Sequence, residues 1–75
     1  MKHGEANDPS AALTPREKEV FNFLLQGMKA KEIARELSIS LSGVNYFVKR
    51  IYRKLQVKSK IELVIKYFNL RQPPV

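Results

Sequence analysis

One amphipathic segment constrains the fold of this chain more than any other. It runs from Ser42 to Gln56 and reads SGVNYFVKRIYRKLQ. At the roughly 100° per residue of an α-helix, its apolar side chains fall on one narrow line. They are Val44, Val48, Ile51 and Leu55, with Phe47 at the edge of the stripe. Such a stripe predicts a helix that buries one face against other elements of a small domain.

The opposite face of this predicted helix is polar and basic. It carries Ser42, Tyr46, Lys49 and Arg53, flanked by Asn45 and Arg50. No Asp or Glu occurs between Leu37 and Ile61, whereas exposed helix faces usually mix both signs in i,i+4 pairs. The face is therefore either simply solvated or suited to a nucleic-acid groove. We favour the second interpretation, because repulsion among its cations is uncompensated until a polyanion binds.

Length and composition narrow the class of protein. The 75 residues allow one domain, and the net charge of +7 with a pI near 10.0 favours nucleic acid over an anionic membrane or an acidic protein. The chain has no cysteine and a single histidine, His3. It shows no transmembrane span, signal peptide or catalytic arrangement of residues. We therefore predict no enzyme, no cofactor, no metal site and no membrane association.

Helix signals divide the rest of the chain. We predict a flexible arm at residues 1–12, a folded domain at residues 13–70 and a loose end at residues 71–75. Thr14, Pro15 and Glu17 form a capping box with proline at the first helical position. Gly27 is suited to end this first helix in a left-handed conformation. Its predicted inward residues are Val20, Phe21, Leu24 and Leu25.

A short second helix is predicted at about Ala30 to Leu37. Only Ser38, Ile39 and Ser40 separate it from the basic helix, which leaves room for a tight turn with Ser40 as the next N-cap. A helix, a tight turn and a basic helix form a helix-turn-helix arrangement.

The last predicted helix begins at a second capping box, Ser59 to Glu62, and runs to about Asn69. It carries two apolar stripes, although a surface helix needs only one. We assign the stripe Ile61, Val64, Ile65 and Phe68 to the core. We assign the other stripe, Leu63, Tyr67 and Leu70, to a weak homodimer interface.

Several of these stretches resemble the LuxR-type (GerE-like) helix-turn-helix family of bacterial transcription regulators. The matching stretches are LTPREKEV at 13–20, KEIAREL at 31–37, Ile39-Ser40, Val44, Ile51, Arg53-Lys54-Leu55, VKSK at 57–60 and Glu62-Leu63-Val64. The resemblance implies an all-α, four-helix domain whose third helix is the recognition helix and whose fourth helix pairs the subunits. It also implies base-reading roles for Asn45, Tyr46 and Lys49. The residues that it implies for the DNA backbone are Lys31, Ser42, Arg50, Arg53 and Lys54.

The chain departs from the family pattern at several positions. The family usually has Gly at Ser38 and Gln56, Thr at Gly43, Lys at Asn45 and His at Phe47. The fold expectation survives these changes, but no operator sequence can be carried over from a relative. Family members usually carry this module behind a receiver or ligand-binding domain, so the chain is either a free-standing regulator or a fragment of a longer one.

The leading hypothesis is a sequence-specific transcription regulator that binds inverted repeats of double-stranded DNA as a dimer. It would work in the bacterial cytoplasm, associated with the nucleoid. The alternative is a helix-turn-helix module that binds protein. Such a module could resemble sigma region 4 docked on RNA polymerase, or could be a decoy that pairs with another regulator. Titration with duplex DNA separates the two hypotheses, because a decoy would bind weakly and without sequence preference.

Overall fold

The computed structural model describes residues 9–68 of the chain. Within them a 3₁₀ turn, Pro9–Ala12, precedes four α-helices: α1 (Pro15–Leu25), α2 (Ala30–Leu37), α3 (Leu41–Leu55) and α4 (Lys60–Lys66). These residues contain no β-strand. The predicted all-α fold and the predicted order of four helices are confirmed.

The capping signals of α1 act as predicted. Thr14 Oγ1 accepts the Glu17 backbone N–H at 3.2 Å, and the Glu17 carboxylate accepts the Thr14 N–H at 2.9 Å. At the other end Gly27 has φ = +88°, and the Met28 N–H donates to the Phe23 carbonyl at 3.1 Å. This bond closes the helix end in the manner of a Schellman motif.

The connection from α2 to α3 is the predicted tight turn. Ser38 ends α2 in a left-handed conformation with φ = 55°, and the Ile39 N–H donates to the Ala34 carbonyl at 3.0 Å. Ser40 then caps α3, because its Oγ accepts the Gly43 N–H at 3.0 Å. The turn thus sets the angle at which α3 leaves α2 and presents its outer face.

The core lies where α3 packs against α1 and α2, with α4 packed on α1. Its buried apolar residues are Leu13, Val20, Phe21, Leu24, Leu25, Ile33, Val44, Ile51, Leu55, Val57 and Leu63. The inward stripes predicted for α1 and α3 are present, with Val48 of α3 half-buried at the margin. Because the apolar face of α3 is used by the core, its polar face is turned to solvent.

The orientation predicted for α4 is wrong, although Val64 is half-buried against the core as predicted. Leu63, assigned to a dimer interface, is fully buried, and the Tyr67 ring meets the Phe21 ring edge-on with centroids 5.8 Å apart. Ile61 and Ile65, assigned to the core, are 73% and 72% exposed. The physical reason is that α4 packs on α1 with Tyr67 against Phe21 and with Leu63 in the core, which turns the isoleucines outward.

Three further features of the last helix differ from the prediction. Its C-terminal end is Lys66 rather than about Asn69, and Asn69 and Leu70 lie outside the described residues. Ser59 accepts the Glu62 N–H at 3.1 Å, but the Glu62 carboxylate accepts the Lys58 N–H at 2.9 Å. The second capping box is therefore only half formed. Phe68, also assigned to the core, is 57% exposed.

The N-terminal segment differs from the prediction within its described part. Residues 9–12, assigned to the arm, form the 3₁₀ turn, whose backbone lies near α3. Residues 1–8, with His3, and the predicted loose end at 71–75 lie outside the described range. No helix within residues 9–68 is long and apolar enough to cross a membrane.

Candidate nucleic-acid interface

The outer face of α3 brings the three predicted base-reading residues together. Asn45, Tyr46 and Lys49 are all exposed, and Tyr46 is 57% exposed. On the other side of the same helix, Val44 and Ile51 are fully buried. The helix therefore has a hydrogen-bonding face towards solvent and an apolar face towards the core.

Two of the side chains predicted to contact phosphates, Arg50 and Lys54, form ion pairs with a buried acid. Arg50 Nε lies 2.8 Å from Glu17 Oε2, and Lys54 Nζ lies 2.7 Å from Glu17 Oε1. Glu17 is 1% exposed, whereas the side chains of Arg50 and Lys54 are 37% and 28% exposed. The expectation that no acid compensates the cations of α3 is thus wrong. The compensating acid comes from α1, far away in the sequence.

The ion pairs decide the charge of Glu17. Burial alone raises the pKa of this carboxyl group, but the bonds from Lys54, Arg50 and the Thr14 N–H outweigh burial and lower the pKa from its usual 4.5 to about 2. Glu17 is therefore ionised throughout the neutral range, and it holds both cations against the body of the domain.

Arg50 also contacts the predicted base-reading surface. Its guanidinium carbon lies 5.6 Å from the centroid of the Tyr46 ring, within the usual range of a cation–π contact. The Tyr46 ring in turn meets the Phe47 ring edge-on at 5.5 Å. A continuous chain of contacts therefore runs from buried Glu17 through Arg50 to exposed Tyr46.

The other cations of the acid-free run divide into two groups. Lys60 Nζ donates to the Met28 carbonyl at 2.7 Å, so this lysine stabilises the connection between α1 and α2. Lys49, Arg53 and Lys58 are exposed, and their side chains form no hydrogen bond or ion pair within residues 9–68. These three cations are available for an external anion.

The other two residues predicted to contact the DNA backbone, Lys31 and Ser42, lie at the beginnings of helices. Lys31 is exposed in the first turn of α2. Ser42 is exposed in the first turn of α3, and its Oγ lies 3.1 Å from Ser40 Oγ. Helix beginnings carry partial positive charge and unpaired N–H groups, which are suited to phosphate oxygens.

Comparison with known proteins agrees with this geometry. Residues 11–67 match the family model described as "Bacterial regulatory proteins, luxR family". The chain belongs to the luxR family. The match covers all four helices of the domain and the turn that precedes the outward-facing α3.

Curated relatives of this luxR-family chain are named as transcriptional or response regulators. The chain is 44% identical over 62 residues to the transcriptional regulatory protein DesR of Bacillus subtilis, covering 83% of the chain and 29% of DesR. It is 37% identical over 68 residues to the nitrate/nitrite response regulator NarP of Escherichia coli, covering 91% of the chain and 32% of NarP. It is 33% identical over 69 residues to the probable transcriptional regulator ycf29 of Guillardia theta, covering 92% of the chain and 33% of that protein. The chain thus spans about a third of the length of these relatives.

Sequence reasoning missed the second role of Glu17 in this luxR-family domain. It assigned the carboxylate only to the α1 cap. A signal was present, because Glu17 lies three, four and seven residues before Val20, Phe21 and Leu24, on the same face of the helix. An acid on an apolar stripe must find a cationic partner when it is buried.

Within residues 9–68 no group of three or more His, Cys, Asp or Glu side chains could hold a metal ion. The buried Glu17 carboxylate accepts three hydrogen bonds, from Arg50, Lys54 and the Thr14 N–H. What the site presents outward is a hydrogen-bonding and cationic surface on α3.

Proposed function

We propose that this chain acts as a sequence-specific DNA-binding transcription regulator, working in the cytoplasm on the nucleoid. The observation that carries the proposal is the outward face of α3. It exposes cations and hydrogen-bonding side chains without a carboxylate, on a helix held by a tight turn after α2. That arrangement is suited to insertion of α3 into the major groove. Membership of the luxR family and the names of the relatives support it.

Within this proposal the exposed residues of α3 read base edges. The Asn45 amide can pair with adenine N6 and N7, and the Lys49 ammonium can donate to guanine O6 and N7. The ring of Tyr46 provides an apolar surface beside them, with a hydroxyl group at its tip. Asn45 departs from the family pattern, so we expect the operator sequence of this chain to differ from those of its relatives.

The sequence-independent part of the affinity comes from cations around this face. Arg53 and Lys58 have no other side-chain bond within residues 9–68, so they can contact phosphates without breaking an internal ion pair. Lys31 and Ser42 add contacts from the beginnings of α2 and α3. Such contacts fix the position of the domain on the duplex and make binding salt-dependent.

We further propose that two copies bind inverted half-sites through α4. Ile61 and Ile65 lie one helical turn apart and are 73% and 72% exposed, so they form the outward apolar surface of α4. A contact along so short a helix buries little area, and the dimer in solution should be weak. On DNA a second copy is held at high effective concentration, so a small contact gives cooperative binding. Two-fold symmetry then requires half-sites about 10 base pairs apart.

Selection of bound duplexes from a random pool tests the DNA-binding proposal. The expected result is a defined sequence in two inverted copies, with centres about one helical turn apart. Recovery of unrelated sequences, with weak and uniform affinity, would instead favour a module that binds protein, such as a decoy or an element that docks on RNA polymerase.

The dimer is tested with the double substitution Ile61→Glu and Ile65→Glu. The variant should stay folded by circular dichroism and should lose cooperativity on a two-half-site duplex while keeping its affinity for one half-site. A matched control, Asn22→Glu with Gln26→Glu, adds the same charge at an exposed position of α1 and at the exposed residue that caps its end, and it should retain cooperativity. If the α4 variant still binds cooperatively, the subunits meet elsewhere.

A further inference from the structure

The contact chain from Glu17 to Tyr46 connects a buried acid with the surface proposed to meet DNA. Arg50 uses Nε to bind the Glu17 carboxylate at 2.8 Å. This bond uses Nε alone, so the two terminal guanidinium nitrogens do not bind the carboxylate, and the guanidinium also interacts with the Tyr46 side chain. Those nitrogens carry four of the five N–H donors of an arginine. A planar guanidinium fixed on one edge can present the other edge to a phosphate in a defined orientation.

We infer that Glu17 is a positioning residue for DNA recognition, which fixes the Arg50 guanidinium between α1 and the Tyr46 ring. This inference rests on the proposed function and assigns part of its specificity to a residue that never touches DNA. The Glu17–Arg50 bond sets the plane of the guanidinium, and the cation–π contact at 5.6 Å restrains the Tyr46 ring. Arg50 therefore meets the phosphate in the register that places Tyr46 against the bases.

Lys54 has a different part in the same cluster. Its ammonium lies 2.7 Å from Glu17 Oε1, whereas Arg50 binds the other carboxylate oxygen, Oε2. An ammonium is a point charge with freely rotating donors, whereas the guanidinium has a fixed plane. The orientation of the recognition surface thus depends on the Glu17–Arg50 bond rather than on charge alone.

The variant Glu17→Gln separates positioning from charge. Glutamine can still accept the Thr14 N–H, because either Glu or Gln serves a capping box at this position, so the start of α1 is retained. Loss of the acid raises the net charge from +7 to +8, which by charge alone would strengthen binding to every DNA sequence. If Glu17 positions Arg50, affinity for the selected duplex should instead fall about five- to tenfold. Affinity for random duplex should stay equal or rise.

Glu19→Gln is the matched control. Glu19 lies on the same helix and pairs locally with Arg16 at 2.9 Å, so its removal makes the same change in charge without touching α3. Its effects on selected and random duplexes should be parallel. If Glu17→Gln also changes both affinities in parallel, Glu17 only neutralises charge and the inference is overturned.

A second variant decides the matter if Glu17→Gln fails to fold. Arg50→Lys keeps the charge but lacks the planar fork, and it should lose the preference for the selected duplex to a similar degree. Full preference in Arg50→Lys would overturn the inference. Where both single variants fold, the double variant should bind the selected duplex no more than about twofold more weakly than either single variant, because the two residues act as one unit. A double variant whose loss of affinity equals the product of the two single losses would also overturn the inference. A wild-type chain that prefers no duplex would refute the proposed function itself.

Discussion

The buried Glu17 cluster predicts a specific dependence of stability on pH. Because the pKa of Glu17 is lowered from 4.5 to about 2 in the folded domain, folding favours the ionised form. The gain is complete above the unfolded pKa and is lost as the pH falls from about 4.5 towards 2. The difference between the two pKa values corresponds to ~3 kcal/mol at neutral pH. We expect about 2 kcal/mol in practice, because Arg50 and Lys54 are partly exposed and solvent screens them.

The perturbation is Glu17→Gln, and the assay is urea unfolding of both proteins at pH 7 and pH 3. Wild type should exceed the variant by about 2 kcal/mol at pH 7, and the difference should shrink to about half by pH 3. Glu19→Gln, which removes only an exposed pair, should change stability by less than about 0.5 kcal/mol. A difference between wild type and Glu17→Gln that is independent of pH would refute the argument. It would mean that packing of the side chain, rather than its charge, stabilises the domain.

Three further predictions concern single positions. Ser38→Gly and Gln56→Gly should each raise the free energy of unfolding by about 0.5–1 kcal/mol in urea titrations. The reason is that both residues have left-handed backbones, with φ of 55° and 59°, which glycine adopts at no steric cost. Lower stability of both variants would show that the backbone is not strained at these two positions. Leu63→Ala should cost about 2–5 kcal/mol, and Ile65→Ala less than about 1 kcal/mol, in thermal or urea unfolding; the reverse order would contradict the orientation of α4. Arg53→Ala should flatten the log–log salt dependence of DNA binding by about one unit, and an unchanged slope would remove Arg53 from the phosphate contacts.

Local signals explain why the sequence predicted the first three helices well. Thr14, Pro15 and Gly27 each act through backbone groups within a few residues, so their effect is visible in a short window of sequence. Ser40 caps α3 in the same local way. The apolar stripe of α3 is narrow and has a single possible inward face, which fixed both the buried residues and the exposed ones.

The orientation of α4 could not be obtained in this way. Apolar residues occur all around this short helix, so periodicity allows more than one inward face. The inward face is chosen by the packing on α1, where the Phe21 and Tyr67 rings form a T-shaped contact and the core encloses Leu63. Such a tertiary contact overrides the pattern within the helix.

The Glu17 cluster was missed for a related reason. Its partners are 33 and 37 residues away along the chain, whereas charge patterns are usually read over three or four residues. The lack of acids near α3 therefore suggested uncompensated repulsion. Only the packing of α1 against α3 brings the carboxylate to two of the cations.

The central claim is that the outward face of α3 reads bases, and one comparison tests it most directly. Binding of wild type, Asn45→Ala and Lys49→Ala should be measured on the selected duplex and on random duplex at a fixed salt concentration. Each variant should lose about 1–3 kcal/mol on the selected duplex and should accept other bases at one position. Its affinity for random duplex should change far less. If both variants weaken selected and random duplexes equally, these side chains contribute no base recognition, and the claim is contradicted.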